Sequence, residues 1–216
     1  MNVILFGPPG AGKGTQADHL VKYFNLHKVS TGDLLRNEIK NKTKLGDKIK
    51  ILINQGLLVP DDIINNLIIN ILSNKKFYNR LIFDGYPRNL DQAINLDYLV
   101  KKYNQKISCV LSLKVEKETT IKRILGRQTC SKCGLIFNEY FYPSTNQNHS
   151  CGIKFLVKRS DDNDKTILKR IETYLAKTLP ILDYYKKLSL LHDINGKAGI
   201  DQIFKEISSI LASLEG

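Results

Sequence analysis

The residues of this 216-residue chain best equipped for chemistry begin at GPPGAGKGT, Gly7 to Thr15. Gly7, Gly12 and Lys13 fit the loop pattern G-x-x-x-x-G-K-[ST], in which backbone N–H groups cradle phosphates and the lysine adds a full charge. The hydroxyl that should come next, to hold magnesium, is missing: Gly14 stands there and Thr15 follows one place late. Magnesium at such a loop would be held mostly by phosphate oxygens and waters, which its reluctance to dehydrate allows. Asp84, near the end of LIFDG (81–85), is the carboxylate best suited to order those waters. Arg36, Arg88, Arg123, Arg127, Arg159 and Arg170 form a second set in a lysine-rich chain. Guanidinium binds phosphate oxygens through a rigid fork that lysine lacks. Phosphoryl transfer asks a protein for positioning and charge stabilisation rather than covalent work, and several converging arginines supply both. A third set is Cys130-Ser-Lys-Cys133, a C-x-x-C half-site for zinc. Cys151, with His149 two residues before it, could complete three thiolates and one imidazole. Such a zinc would be structural, because phosphoryl transfer needs no open position on it. The alternative is a segment held by hydrogen bonds and packing alone.

These groups need elements to position them. Residues 3–6 are short, apolar and followed by glycine, which predicts a central strand feeding a loop. Over 13–24, Ala17, Leu20, Val21 and Phe24 share one helical face. Strand, glycine loop and helix form the context a phosphate loop requires. Ser30, with Asp33 three residues on, reads as a helix N-cap signal. Helices are expected over 31–40 and 44–54, with Gly56 stopping the second. Pro60-Asp61-Asp62 opens another, carrying Ile64, Leu67, Ile68, Ile71 and Leu72 at helical spacing. Further strands are expected at 81–85, 107–113 and 190–194, and helices at 89–100, 116–125 and 200–214. Cys109, inside a strand, reads as a core residue. Strands alternating with helices imply an α/β fold, a parallel sheet flanked by helices on both faces. Ligands of such sheets sit beyond the C-terminal strand ends, where both the glycine loop and Asp84 fall. Residues 126–163 break the pattern. They are too long for a structureless loop, so a small inserted domain of strands, tied by a metal, is expected.

Composition narrows the class. At 42% hydrophobic the chain is globular, and a net charge of +12 favours anionic partners. No stretch approaches the roughly 20 apolar residues of a membrane span. The opening Met-Asn, then Val-Ile-Leu-Phe and glycines, carries no basic leader or cleavage-like region, so a cytoplasmic location is the default expectation. In a reducing compartment, Cys109, Cys130, Cys133 and Cys151 serve as core residues or metal ligands rather than disulfides.

GPPGAGKGT is followed in order by STGDLLR (Ser30 to Arg36), GLLVPD (Gly56 to Asp61) and FDGYPRNLDQA (Phe83 to Ala93). Then come GRQTCSKCG (Gly126 to Gly134), KRSDDNDKTILKRIETY (Lys158 to Tyr174) and Asn195-Gly196. Over essentially its whole length the chain resembles the adenylate kinases of the bacterial type with a long lid. The resemblance implies the P-loop nucleoside monophosphate kinase fold. Its core would be 1–29, 60–125 and 164–216, with a helical AMP-binding insertion at 30–59 and a small β-rich lid at 126–163. Lid and AMP domain would close over the substrates and exclude water. The implied reaction is reversible transfer of the γ-phosphoryl of Mg-ATP to AMP, giving two ADP and balancing adenine nucleotides.

The same resemblance implies roles. Gly10, Ala11, Gly12, Lys13, Gly14 and Thr15 would hold the ATP phosphates, with Lys13 following the reacting one. Thr31, Arg36, Gly85, Tyr86, Pro87, Arg88 and Gln92 would hold AMP, Gln92 at the adenine edge and Arg36 and Arg88 at the phosphate. Backbone at Leu57, Leu58 and Val59 would line the AMP base. Arg123, Arg127, Arg159 and Arg170 would gather on the phosphates during closure, the last two also reaching AMP. Ile136 and Phe137 would sit beside the ATP adenine, Asp161 and Asp162 at the lid hinge, and backbone around 196–198, Ala198 included, at the ATP base. Lys197 departs from the family's usual threonine. The catalytic set is then Lys13, Asp84, Arg88, Arg123, Arg159 and Arg170. The metal set is Cys130, Cys133, Cys151 and His149, although lids of this family often carry a second C-x-x-C where only Cys151-Gly152 is recognisable here. A monomer is implied, with ATP and AMP as partners and neither nucleic acid nor membrane. UMP and CMP kinases generally have a short lid, which argues against them. A GTP:AMP phosphotransferase has a long lid and stays open as an alternative. So does a basic zinc-containing nucleic-acid-binding module, which would leave the glycine loop and arginines unused.

Overall fold

The computed structural model describes residues 1–146 and 149–214; residues 147–148 of the expected lid and 215–216 of the expected core lie outside the described residues. In chain order the elements are β1 (Val3–Phe6), α1 (Lys13–Phe24), β2 (His27–Ser30), α2 (Thr31–Lys40), α3 (Lys44–Asn54), α4 (Asp61–Leu72), β3 (Leu81–Asp84), α5 (Leu90–Lys102), β4 (Cys109–Lys114) and α6 (Lys117–Leu125). There follow β5 (Arg127–Cys130), β6 (Ile136–Asn138), β7 (Leu156–Val157), α7 (Asp164–Thr173), a π-helical turn at Tyr174–Thr178, α8 (Ile181–Lys187), β8 (Leu191–Asn195) and α9 (Ile200–Ser213).

Five strands make one parallel sheet in the order β2-β3-β1-β4-β8. Alternation along β1 sends Val3 and Leu5 to one face and Ile4 and Phe6 to the other. Val3 and Leu5 meet Leu20 of α1 and Ile203, Ile207 and Leu211 of α9. Ile4 and Phe6 join a second core with Leu96 of α5, Ile68 of α4 and Tyr185 of α8. Both faces are covered, which is why the strands read as continuous apolar runs. Cys109 is fully buried in β4, as expected of a core residue.

Helix starts follow the capping chemistry of the sequence. Ser30 accepts the Asp33 N–H at 3.3 Å, Asn89 accepts Gln92 N–H at 2.8 Å and Asn163 accepts Thr166 N–H at 3.0 Å. Thr43 caps α3 by accepting the Gly46 N–H at 2.9 Å. Gly46 also lets α3 press against the end of α2: a Cβ there would lie 2.2 Å from the Glu38 carbonyl oxygen. Gly46→Ala is therefore expected to destabilise the protein by about 1–3 kcal/mol, read as a lower denaturant midpoint. An unchanged midpoint would mean that the α2–α3 corner opens at no cost.

The segment that broke the helical pattern forms a separate antiparallel sheet, β6-β5-β7. It is tied to the end of α6 by Glu139 N–H donating to Gly126 O (2.7 Å) and by Asn138 Nδ2 donating to Arg123 O (2.7 Å).

Candidate active site and metal centre

Residues 7–12 join the end of β1 to the start of α1, and a phosphate-holding loop there must turn its N–H groups inward. Gly12, the N-cap of α1, has φ 95°, with nothing within 4 Å of a would-be Cβ, so conformation alone demands glycine. Gly10 has φ 82° and its Cβ would lie 2.6 Å from Thr120 O, so space demands it as well. Lys13 folds back over this loop, its Nζ donating to Gly7 O (2.7 Å) and Pro8 O (3.0 Å). Burial pulls its ammonium down to about 8; nearby Asp84 opposes this, while Arg88, Arg170 and Arg127 add to it. Asp84 Oδ2 lies 3.5 Å from the point a Cβ on Gly14 would occupy. The position lacking its hydroxyl therefore faces the carboxylate named for ordering waters.

Gly10 to Thr15, Asp84, Gly85, Pro87, Arg88, Arg123, Arg127, Ile136, Phe137, Arg159, Arg170 and Ala198 line one cleft of about 580 Å³. It opens beyond the C-terminal strand ends of the five-stranded sheet. Beside it, Thr31, Arg36, Leu57, Leu58, Val59, Tyr86 and Gln92 line a smaller cavity of about 60 Å³, together with Gly85, Arg88 and Arg170. Arg88 is fixed by its own turn, Nε donating to Gly85 O at 2.7 Å, the same carbonyl that accepts Thr31 Oγ1 at 2.8 Å. Burial and the neighbouring Arg170 and Arg36 lower the Arg88 guanidinium to about 10 against the pull of Asp84 and Asp161. Arg159 is lowered to about 10, chiefly by burial.

Sequence reasoning expected these arginines to converge on phosphate. In the structure most of them converge on carboxylates. Arg127 forms a two-pronged pair with Asp162, and Arg170 Nη1 donates to Asp161 (3.1 Å) and Asp162 (3.4 Å). Asp33 takes Arg36 of α2 at 2.5 Å and Arg159 from the inserted segment at 3.8 Å. Burial works to raise Asp33, but Arg36 and Arg159 outweigh it and hold the carboxyl below its usual range. Arg123 donates instead to Gly196 O (2.9 Å), and its guanidinium faces the Phe141 ring at 5.5 Å. The sequence marks Asp33 only as part of a helix-cap signal and gives Phe141 no role at the cleft. Lys28, which lines the cleft and pairs with Asp18 at 2.8 Å, was not singled out. Its signal was its place two residues before Ser30, hence on the same face of the strand.

Cys130, Cys133, His149 and Cys151 come together, their donor atoms all within 4.8 Å of one another. The turn after β5 brings Cys130 and Cys133 together: Gly134 N–H returns to Cys130 O at 2.9 Å, and Cys133 N–H points at Cys130 Sγ at 3.5 Å. His149 Nε2 lies 3.5 Å from Cys133 Sγ. Burial works to raise the Cys130 thiol, but the N–H groups of Cys133 and Lys132 and the side chains of Cys133 and His149 bring it down to about 6. Zinc–ligand bonds of about 2.0–2.3 Å require donors somewhat closer together than this, so small side-chain rotations would close the set. Three thiolates and an imidazole fit a closed zinc site.

Comparison with known proteins came down on one family. The sequence pattern of the family described as Adenylate kinase matches residues 5–190. An adenylate kinase of Pelagibacter ubique is 49% identical, covering 98% of this chain and 99% of that protein. One from Clostridioides difficile is 40% identical over 99% of each, and one from Methanothrix thermoacetophila 41% identical over 100% of each.

Proposed function

The chain belongs to the adenylate kinase family, and on that premise we propose that it transfers the γ-phosphoryl group of Mg-ATP reversibly to AMP, giving two ADP. The observation that carries the reading is the meeting of a glycine loop, Lys13 and arginines from several segments in one cleft, with the Gln92 cavity alongside. A GTP:AMP phosphotransferase is not favoured, since the relatives matched over the full length are adenylate kinases.

In the proposed reaction an oxygen of the AMP phosphate bonds to the γ-phosphorus as the bond to the β-phosphate oxygen breaks. Gly10 to Thr15 hold the ATP phosphates through their N–H groups and the start of α1. Lys13 leaves the loop carbonyls and follows the moving group. Arg36 and Arg88 hold the acceptor phosphate, with Thr31, Gly85, Tyr86 and Pro87 around it and backbone of Leu57 to Val59 against the base. Arg123, Arg127, Arg159 and Arg170 spread the charge that builds on the equatorial oxygens. Magnesium bound with ATP would neutralise phosphate charge, and Asp84 is the residue that would order its waters. Ile136, Phe137 and Ala198 flank the ATP base.

The proposed AMP domain, 30–59, carries α2 and α3, and the proposed lid, 126–163, carries β5 to β7 and the zinc set. Their closure keeps water from the phosphoryl group. The reading is completed by a cytoplasmic monomer that needs neither nucleic acid nor membrane. No helix among the described residues is long and apolar enough to cross a membrane. A coupled assay offering ATP with AMP, UMP, CMP and GMP in turn, then GTP with AMP, is expected to give turnover chiefly with ATP and AMP. Absence of turnover with AMP, or a preference for UMP or CMP, would overturn the proposal.

A further inference from the structure

Gln92 sits in the first turn of α5, is 2% exposed and lines the small cavity. A side-chain amide has two faces of opposite character, and its sense is often ambiguous. Here two partners remove the ambiguity. Arg88 N–H, which can only donate, meets Gln92 Oε1 at 2.7 Å. The Asp61 carboxylate, which only accepts, takes Gln92 Nε2 at 2.6 Å. Asp61 is the first residue of α4 and is itself held by Asn89 Nδ2, at 3.2 Å from Oδ1 and 3.0 Å from Oδ2. Asn89 in turn caps α5 through the Gln92 N–H. The amide is therefore locked at both ends.

An amide oxygen accepts two hydrogen bonds and an amide nitrogen donates two. With one of each spent on Arg88 and Asp61, Gln92 keeps one acceptor and one donor. Adenine offers a matching pair, a 6-amino donor beside the N1 acceptor. A 6-oxopurine offers the reverse, an N1–H donor beside an oxygen acceptor, and would need the amide turned over. We propose that Asp61 is a specificity-determining, positioning residue: by fixing the sense of the Gln92 amide, it makes the acceptor site select a 6-aminopurine over a 6-oxopurine monophosphate. This rests on the reading of Gln92 at the base of AMP.

The test compares kcat/KM for AMP and for inosine monophosphate, with ATP as donor, in Asp61→Asn, Gln92→Ala and the double variant. An asparagine amide can present either end, so it no longer opposes a turned-over Gln92, and only the Arg88 N–H still holds the original sense. Asp61→Asn is expected to reduce the AMP-to-IMP ratio by about tenfold or more, mainly through KM, and to change it no further in the Gln92→Ala background. Asp61→Ala, which withdraws the acceptor, is expected to do the same and serves if the asparagine variant does not fold; thermal melts establish that each variant is folded at the assay temperature. A folded Asp61 variant with an unchanged ratio overturns the proposal. So does a fall that persists without Gln92. If Gln92→Ala itself leaves the ratio unchanged, the reading of Gln92 at the base fails instead, and the proposal with it.

Discussion

Lys13→Met is expected to lower kcat by about 10²–10³-fold while the melting temperature holds or rises. Both halves come from the same geometry. Lys13 is half-buried at the cleft, its ammonium bonded to the Gly7 and Pro8 carbonyls and set near Arg88, Arg170 and Arg127 with Asp84 as its counterweight. A charge in that position costs stability until phosphate arrives, and a methionine of similar length relieves the cost. The sign of the pH effect follows. The folded value of about 8 lies below the roughly 10.4 of an exposed lysine, so the unfolded chain holds more protons between these limits. Stability from this group therefore rises with pH across that window, and the rise should vanish in Lys13→Met. Phosphate binding favours the ammonium, so kcat/KM for ATP should fall as pH climbs past about 8 in the wild-type enzyme. A variant that kept near-normal kcat, or a kcat/KM flat to pH 9, would remove Lys13 from the reacting centre.

Loss of the proposed zinc is the second large effect expected. The sheet that carries the cluster has strands of four, three and two residues, and Phe137 and Cys130 supply most of its buried side chains. So small a core needs a staple. Purified protein should hold one zinc per chain, and Cys151→Ser or a strong chelator should remove it. Loss of about 2 kcal/mol or more would lower the melting temperature by about 4–8 °C in a chain of this size. His149→Ala should weaken zinc retention without abolishing it. Metal-free protein that melts where Cys151→Ser does, at an unaltered temperature, would leave hydrogen bonds and packing as the sole support of the sheet.

Most of this was readable in the order of residues because the local signals agreed. The cap at Ser30, the stop at Gly56 and the apolar faces of α1 and α4 all pointed one way. β2 escaped because His27 and Lys28 are polar and half-buried, leaving four residues with little alternation. α7 and α8 escaped because the apolar residues of 164–187 do not keep one helical phase: Ile167 and Ile171 anchor α7, and a π turn shifts the period before Ile181, Leu182 and Tyr185 anchor α8. At the site, glycine spacing and arginine identity marked what could bind phosphate. The pairing of those arginines with Asp33, Asp161 and Asp162 was not legible, because it depends on segments far apart in sequence meeting over the cleft.

The π turn at Tyr174–Thr178, closed by Leu179 N–H to Tyr174 O at 2.8 Å, acts as a one-residue frameshift written into a helix. Arg170 and Thr178 are eight positions apart, and in an unbroken α-helix they would point about 80° from each other. The extra residue brings that angle to about 20°, so Arg170 faces the acid pair while Thr178 Oγ1 reaches Arg88 O at 2.8 Å. Deleting one residue between 174 and 178 would give a more regular helix and swing α8 about 100° out of phase, detaching Thr178 from the carbonyl of Arg88. The irregularity is what turns Arg170 and Thr178 toward the same cleft.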